Sequence, residues 1–270
     1  MNLKISSKAM YGSWGYYSPI RTLFDAGEGV ASALGNYVYA IENVFISHSH
    51  YDHIGSLPNL IGARAHARGD KEKPLNVYYH DSHNMTIMKE FILKLHKKLP
   101  YELNFIQIRD GFTLNFNNNM CLKAFYVKHA FGSLGFKVLE KRSRLKVGIE
   151  PREVKSLLSK GVEVSEAYMG NLFAWTLDSA SFDEKNIENC AHWVADSTFL
   201  KEKDRDDNTH FSVEEVLTLA LKNNVKRLTL AHFSSRYNWN EISPSVLDIN
   251  EKIGFNGKID IILPNKVYEI

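Results

Sequence analysis

The stretch that decides the fold is His48-Ser49-His50-Tyr51-Asp52-His53. It follows the apolar run Val44-Phe45-Ile46, so four side chains that can bind metals stand within six positions where a strand ends. Alternate residues of an extended segment face the same side, and His48 and His50 therefore point together. The turn that follows can direct the last two residues of the motif at a second point. Imidazole and carboxylate groups suit zinc, so we interpret this loop as able to serve two metal ions.

Other short apolar runs along the chain also lead into histidine or aspartate. Several are continuously apolar, as expected for strands that are covered on both faces. A single histidine after a strand is usually structural, but repetition predicts one site at one edge of a sheet sandwich. The residues that follow or end these runs are Asp25, His48, His80, His129, Asp178, Asp196 and His232.

Helical patterns lie between the apolar runs. They cover 54–68, 86–99, 212–223 and 246–253, and the third begins at a capping box formed by Ser212 and Glu215. Sheets with helices outside them make a layered α/β domain. No internal repeat or low-complexity linker divides the chain, so we expect one domain over residues 1–270.

Composition excludes several classes of protein. The chain has 270 residues, 44% of them hydrophobic, which favours a packed core over disorder. Its net charge of +2 excludes a highly cationic nucleic-acid packager. Cys121 and Cys190 stand far apart and are expected to be reduced and buried. No signal-peptide-like or membrane-spanning run is visible, so we expect a soluble cytoplasmic protein without a membrane partner.

The histidine-rich loop resembles the HxHxDH signature of the metallo-β-lactamase superfamily, whose fold is an αββα sandwich. Further blocks, in order, resemble the ribonuclease Z branch of that superfamily. These blocks are Leu23-Phe24-Asp25-Ala26-Gly27-Glu28-Gly29, residues 44–61, His129-Ala130-Phe131-Gly132-Ser133-Leu134-Gly135-Phe136, Thr209-His210-Phe211-Ser212 and Ala231-His232-Phe233-Ser234-Ser235-Arg236-Tyr237. The resemblance covers most of the chain and predicts an αββα sandwich.

The resemblance implies a pair of zinc ions, with Mn²⁺ as the alternative metal. One ion would be held by His48, His50 and His129. The other would be held by Asp52, His53 and His232. Asp178 and Asp196 compete for the bridging position, and we favour Asp178 because Leu177-Asp178-Ser179 matches the position of the family's bridging aspartate, although the family's preceding glycine is missing.

Catalytic and supporting roles also follow from the resemblance. Two metal ions can lower the pKa of a shared water, which Asp52 would orient or deprotonate. His210 would stabilise charge on the phosphoryl group or protonate the leaving oxygen. Asp25 is expected to support the ligands, and Asp196 to orient His210. Two residues of the last block, Ser234 and Arg236, are expected to bind the substrate.

The insert between His129 and Asp178 bears on the substrate. Ribonuclease Z enzymes clamp tRNA with a protruding arm at this point, but here the insert is 48 residues long, residues 130–177, with the single proline Pro151. We therefore expect the arm to be missing, together with the family's opening strand and glycine-rich loop. The insert still holds cations that would bind phosphate or form a solvated face: Lys141, Arg142, Arg144 and Lys146.

A compact member of this branch resembles its cyclic-nucleotide phosphodiesterases, including the phage anti-Pycsar enzymes that destroy cyclic pyrimidine signals. We predict hydrolysis of cyclic mononucleotides such as cCMP and cUMP, with tRNA 3′-end maturation as the alternative. Relatives are commonly homodimers, so a homodimer is expected. Some aromatic residues offer faces for a base, with packing in the core or in a dimer as the alternative: Tyr11, Trp14, Tyr16, Tyr17 and Trp239.

Other classes fit the sequence less well. A β-lactamase or a glyoxalase-type thioesterase shares the HxHxDH loop but lacks the ending His-Phe-Ser-Ser-Arg-Tyr of residues 232–237. A non-catalytic binding protein on this fold would typically have lost ligands, whereas all seven candidates are present here.

Overall fold

The computed structural model describes residues 3–66, 73–205 and 208–270. Within these ranges the strands form two seven-stranded sheets. The first sheet contains β1 (Leu3–Lys8), β2 (Gly12–Tyr17), β3 (Thr22–Phe24), β4 (Asn43–Phe45), β5 (Leu75–Tyr79), β6 (Leu103–Gln107) and β14 (Tyr268–Glu269), in the order β14-β1-β2-β3-β4-β5-β6. The second contains β7 (Thr113–Asn115), β8 (Met120–Tyr126), β9 (Leu134–Leu145), β10 (Ser165–Thr176), β11 (Trp193–Asp196), β12 (Arg227–Ala231) and β13 (Lys258–Ile261), in the order β13-β12-β11-β10-β9-β8-β7.

Helices cover the outer face of each sheet. They are α1 (Val30–Leu34), α2 (Tyr51–Ile54), α3 (Leu57–Arg64), α4 (His83–Leu95), α5 (Val154–Ser159), α6 (Val213–Lys222) and α7 (Trp239–Ile253). The first four pack on the first sheet, and α6 and α7 pack on the second. The fold is therefore the predicted αββα sandwich.

Both faces of the central strands are buried, which explains their continuous apolar runs. In β3 and β4, Leu23 and Val44 pack against the helices, whereas Phe24 and Phe45 point into the layer between the sheets. There the ring of Phe24 stacks on that of Trp175 from the second sheet, with 5.5 Å between their centroids. This aromatic layer fixes the distance between the two sheets and hence between their edges.

Parallel pairing brings the metal-binding side chains to one edge. Strands β3, β4 and β5 run parallel in the first sheet, as do β10, β11 and β12 in the second. The carboxyl ends of parallel strands lie at the same edge of a sheet, which is where ligands bind in α/β folds. The loops that follow these strands therefore meet at one edge of the sandwich.

One expectation about local structure was wrong, because an opening strand is present as β1, which pairs with β2 from Leu3 to Lys8. Trp14, Tyr16 and Tyr17 are buried in the core, which is the alternative that the sequence analysis kept open, so they offer no face to a base. Tyr11 and Trp239 remain partly exposed.

The predicted helix over 54–68 is shorter in the structure. It corresponds to α3, Leu57–Arg64, and its first residue, Ile54, is the last residue of α2. Pro58 at the start of α3 lacks the amide proton that a helix continuing from α2 would need. Arg68, at the end of the predicted helix, lies outside the described residues. By contrast, the capping box is confirmed, since Ser212 and Glu215 exchange hydrogen bonds at the start of α6.

The insert forms a short arm, which the sequence analysis did not predict. Strand β9 pairs with β8 only as far as Glu140, and β10 pairs with β11 only from Ala174 onward. Beyond these points Lys141–Leu145 pairs with Ser165–Met169 alone, and α5 lies between the two strands in the chain. The length of an insert does not distinguish an irregular loop from a two-stranded ribbon, so the sequence did not reveal this short arm, and the absence of the family's long tRNA arm stays a prediction.

Two smaller predictions concern the cysteines and the membrane. Cys121 and Cys190 are free thiols and both are buried, as expected. Among the described helices, none combines the length and the apolar character that crossing a bilayer requires.

Candidate metal centre

Four imidazole and carboxylate groups form the first cluster at the sheet edge. His48 and His50 come from the loop after β4, His129 follows β8, and Asp178 follows β10. His48 Nε2 lies 3.0 Å from His50 Nδ1, which lies 3.3 Å from His129 Nε2. Asp178 Oδ2 lies 3.8 Å from the Nε2 atoms of both His48 and His129.

A second cluster shares the same aspartate through its other oxygen. Asp178 Oδ1 lies 3.3 Å from His53 Nε2 and 3.2 Å from His232 Nε2. Asp52 Oδ2 lies 3.7 Å from His53 Nε2 and 3.9 Å from His232 Nε2. The two oxygens of Asp178 thus face two adjacent groups of donors.

The spacing of these atoms fits metal ions better than hydrogen bonds. Donor atoms held by a tetrahedral zinc at its usual bond lengths are about 3.3 Å apart. His53 Nε2, His232 Nε2 and Asp178 Oδ1 are buried and have no hydrogen-bond partner among the described residues, although they lie close together. Buried polar atoms are normally paired, and a metal ion could accept the lone pairs of all three atoms. The cluster can hold two metal ions.

Burial and neighbouring charges set the protonation of the cluster. Burial, followed by the neighbouring His53, lowers the pKa of His48 well below its ordinary value. Burial would raise the pKa of Asp178, but His232 and His53 outweigh it and hold that pKa well below its ordinary value. A neutral imidazole and an ionised carboxylate are the forms that metal binding requires.

Asp196 lies beside the cluster, but its oxygens are already used. It is fully buried and accepts hydrogen bonds from Ser179 N at 2.9 Å and from the amide and hydroxyl of Thr198 at 2.8 and 2.7 Å. His210 Nδ1 lies 2.7 Å from its Oδ2. The ring of His210 stacks on that of His232, with 5.3 Å between their centroids. Asp196 therefore anchors His210 next to the donor groups.

A model of the β-lactamase superfamily domain matches residues 21–233 of the chain. This chain belongs to the β-lactamase superfamily. Within it the chain belongs to the ribonuclease Z-like branch: it is 29% identical to tRNase Z TRZ1 of Arabidopsis thaliana over 245 residues, which are 85% of this chain and 84% of the relative. It is 28% identical to a ribonuclease Z of Staphylococcus aureus over 273 residues, covering 89% of this chain and 88% of the relative.

A solved structure adds support for the fold. The crystal structure of the short form of human tRNase Z matches with a TM-score of 0.70 at 18% identity, over 100% of this chain and 99% of that chain. Together with the family match and the two donor groups, this makes the protein a hydrolase of the metallo-β-lactamase fold.

In this β-lactamase-superfamily chain, Asp25 lies beneath the candidate ligands. It lies directly after β3, and its side chain is fully buried. Its oxygens accept hydrogen bonds from Ser47 N at 2.7 Å, Ser47 Oγ at 3.0 Å and Trp175 Nε1 at 3.2 Å. His53 Nδ1 lies 3.0 Å from Asp25 Oδ2, so this carboxylate orients the ring whose Nε2 faces Asp178.

Three supporting groups were not found from the sequence. Ser47 Oγ lies 3.0 Å from His48 Nδ1, the Thr209 carbonyl lies 3.1 Å from His129 Nδ1, and Thr198 Oγ1 lies 2.9 Å from His232 Nδ1. Each contact leaves the other ring nitrogen facing the donor groups. Only Thr198 carried a sequence signal, a hydroxyl two residues after a buried aspartate, and the other two depend on the tertiary arrangement.

Thr198→Val is expected to weaken metal binding at the position of His232. Valine has nearly the same shape as threonine but cannot form a hydrogen bond with Nδ1 of His232, so the imidazole ring of His232 loses its fixed orientation. Loss of such a support typically lowers metal affinity about 10–100-fold. Competition with a chromogenic chelator measures this change. Thr198→Ser keeps the hydroxyl and should bind metal like the wild type, and equal losses in both variants would contradict the role.

The loop after His129 depends on a glycine. Gly132 has a φ of +75°, and a Cβ there would lie 2.2 Å from Nδ1 of His80. We expect Gly132→Ala to cost about 1–2 kcal/mol for its left-handed backbone and about 1–3 kcal/mol more for the clash. Gly148→Ala is the control, because Gly148 has a φ of +87° with nothing within 4 Å. Thermal unfolding compares the two, and equal losses would show that His80 gives way.

Ser234 and Arg236 follow His232 and lie near the centre. Ser234 N donates to the Thr198 carbonyl at 3.0 Å. The guanidinium of Arg236 donates to the Asp204 carbonyl at 2.9 Å and lies 5.0 Å from the centroid of the Phe199 ring. Phe199 in turn contacts His210, with 6.5 Å between ring centroids. Their role in binding substrate stays a prediction.

Proposed function

We propose that this protein is a phosphodiesterase with two metal ions. The observation that carries the proposal is the pair of donor groups that share Asp178 through its two oxygens, with His210 stacked beside them. In the proposed site His48, His50 and His129 hold one ion, Asp52, His53 and His232 hold the other, and Asp178 bridges them. Zinc suits this set of nitrogen and oxygen donors, with Mn²⁺ as the alternative. Bound metals would lower the pKa of a water and attract a phosphoryl oxygen.

The chain's own residues would supply the remaining chemistry. Asp52 has one oxygen toward the second donor group and can orient a water or accept its proton. His210 is held through Nδ1 by Asp196 at 2.7 Å, and its ring stacks on that of His232 beside the donor groups. From this position the imidazole would act on a phosphoryl or leaving oxygen. A fixed donor here would stabilise the negative charge that develops during cleavage.

The arm and the relatives favour the 3′ end of a tRNA precursor as the substrate. The relatives named tRNase Z and ribonuclease Z match this chain over most of their own length. The arm lies in the same insert as the tRNA-binding arm of that family. Its exposed cations include Lys141, Lys155 and Lys160. Other basic residues of the arm are partly neutralised, since Arg144 and Lys146 pair with Glu166 and Glu163.

The other candidate substrate is a cyclic mononucleotide, which the sequence analysis predicted, with tRNA 3′-end maturation as its alternative. The observation in its favour is a pair of exposed aromatic side chains next to the ligands. Tyr51 lies inside the histidine-rich loop and is 76% exposed, and Phe131 lies two residues after His129 and is 87% exposed. Exposed rings of this kind can stack on a base and need no arm.

Incubation of the zinc-loaded protein with 3′,5′-cyclic nucleotides and with a tRNA precursor distinguishes the two candidates. Replacing Lys141, Lys155 and Lys160 together with glutamine should weaken cleavage of the precursor and reduce its salt dependence, because fewer phosphates are contacted. Cleavage of cyclic nucleotides should not change. The control replaces Lys94, Lys97 and Lys98, which are exposed at and after the end of α4. A protein that cleaves neither substrate with zinc or manganese would contradict the proposed function.

The predicted homodimer stays a prediction. Light scattering of the purified protein at micromolar concentration measures the mass in solution, which is 30.9 kDa for one chain.

A further inference from the structure

A second charged site lies where the arm leaves the second sheet. A pocket of about 390 Å³ is lined there by Lys137, Arg142 and Arg144 of β9, Tyr168 of β10 and Lys185; we refer to it as the arm-base pocket. Lys137 lies between Phe136 and Val138, which point into the core between the sheets. Its side chain therefore points to the outer face of the second sheet.

The arm-base pocket extends away from the donor groups. Leu134, at the start of β9, donates to the carbonyl of Ser47 beside the histidine-rich loop. Arg142 lies eight residues further along the strand, which is about 26 Å at the usual rise of a strand. None of the residues that line the pocket belongs to either donor group.

The lining of the pocket holds more positive than negative side chains. Its lining contains four cations and a single acidic residue, Glu188. Arg142 pairs with Glu140 at 2.9 Å and Arg144 pairs with Glu166 at 2.7 Å, but a guanidinium has further donors to offer. Neither Lys137 nor Lys185 forms a side-chain ion pair with any residue in the described ranges. The pocket therefore offers several donors and an excess of positive charge.

Lys137 is the least compensated of these cations. It stands directly opposite Lys123 on β8, and like charges at opposed positions of a sheet are destabilising. Burial, followed by Lys123, lowers the pKa of the Lys137 ammonium. An anion in the pocket would offset both effects, because it would replace lost hydration and neutralise the repulsion.

Neighbouring residues shape the pocket for a phosphate. A Cβ on Gly170 would lie 2.8 Å from Cδ of Arg142, so the glycine leaves room for the arginine to lie flat across β10. The guanidinium of Arg144 lies 5.2 Å from the centroid of the Tyr168 ring. Guanidinium groups match phosphate oxygens in pairs, and an aromatic ring held in place next to them can contact a base.

We propose that the arm-base pocket binds a phosphate group, carried by a nucleotide or an RNA strand, at a site separate from the metal centre. The phosphate oxygens accept hydrogen bonds from Lys137 and Arg142, and Arg144 adds positive charge at the far end of the pocket. This inference does not depend on which phosphodiester the metal centre cleaves.

Calorimetric titration of the zinc-loaded protein with inorganic phosphate tests the proposal. Phosphate can also bind at the metal centre, so the wild type should show two classes of site. Lys137→Gln should lower the phosphate affinity of the class that represents the arm-base pocket at least tenfold. The affinity of the other class should not change. Lys252→Gln removes the same charge from an exposed position on α7 and should retain both classes. Arg144→Gln is a second variant, which should weaken the same class as Lys137→Gln.

Adenosine 5′-monophosphate distinguishes the source of the phosphate. Binding at this class at least tenfold tighter than that of inorganic phosphate would identify a nucleotide or RNA strand as the ligand. Equal affinities would identify free phosphate and overturn the nucleotide part of the proposal. A single class of site in the wild type, or identical titrations for wild type and Lys137→Gln, would overturn the pocket altogether. Hydrolysis assays on the same samples report on the proposed function independently, because no residue of the pocket lies at the metal centre.

Discussion

Asp178→Asn is expected to lower hydrolysis at least about 10³-fold, which corresponds to about 4 kcal/mol, and to reduce metal content below two ions per chain. Asparagine has nearly the same size and tolerates the left-handed backbone that Asp178 adopts at a φ of +57°. It offers only one oxygen and no negative charge, however, so it cannot serve both donor groups. Elemental analysis of the dialysed protein and steady-state kinetics measure the two effects.

The control for this variant removes a carboxylate elsewhere. Asp248→Ala changes an exposed residue of α7 and should retain both metal content and rate. Circular dichroism should show that Asp178→Asn keeps its fold, since the sandwich core does not include this residue. Two tightly bound ions and full activity in Asp178→Asn would exclude a bridging role, and Asp196 would not replace it because its oxygens are occupied.

His210→Ala should slow hydrolysis about 10²–10⁴-fold, the range for loss of a positioned acid, base or charge-stabilising donor. His210 is expected to act mainly in the transition state, so kcat and kcat/KM should fall together. Metal content should not change, because the seven proposed ligands all remain. Kinetics and metal analysis on the same preparation give both quantities.

His66→Ala is the matched control, since His66 is an exposed histidine after α3. Its kinetics should equal those of the wild type. Loss of a metal ion from His210→Ala would contradict the proposed role and identify His210 as a ligand. This outcome has to be tested, because His210, His232 and Asp196 lie close enough together to form a third group of possible metal ligands.

Several candidate ligands were visible in the sequence because they follow apolar runs. A buried strand has a clear apolar pattern, and a histidine or aspartate after it stands out. His48, His129 and His232 were found in this way, and the structure brings them together at one edge. The same runs predicted a layered α/β domain, because strands that are apolar on both faces require helices outside the sheets. The αββα sandwich itself was implied by the resemblance to the metallo-β-lactamase superfamily.

The choice between Asp178 and Asp196 could not be made from the residues alone. Both are buried aspartates at the ends of neighbouring parallel strands. They differ in what surrounds them: Asp196 meets three donors from Ser179 and Thr198 as well as His210, whereas Asp178 meets ligand nitrogens on both sides. The groups that bond to the oxygens of a buried carboxylate come from residues distant in the sequence. No local pattern reveals which residues these are.

The short arm and the burial of particular aromatic residues could not be read from the sequence for a related reason. Whether residues 141–145 pair with residues 165–169 depends on long-range register, and the insert has no strong turn motif that would reveal it. Likewise, Trp14 and Tyr16 look as available in the sequence as Tyr11 does. Only the packing of β2 against its neighbours decides which aromatic rings are covered.

The sequence by itself determined the layered α/β class and the positions where candidate ligands follow strands, because apolar periodicity and the residue after a strand are local properties. Its resemblance to a known family supplied the sandwich and the assignment of the seven candidate ligands. The tertiary structure decided that one carboxylate faces two groups of donors, which hydroxyls and carbonyls orient the imidazoles, and that Lys137 lies opposite Lys123 in a basic pocket. These features depend on strand register and on contacts between residues far apart in the chain, and such contacts exist only once the two sheets have packed.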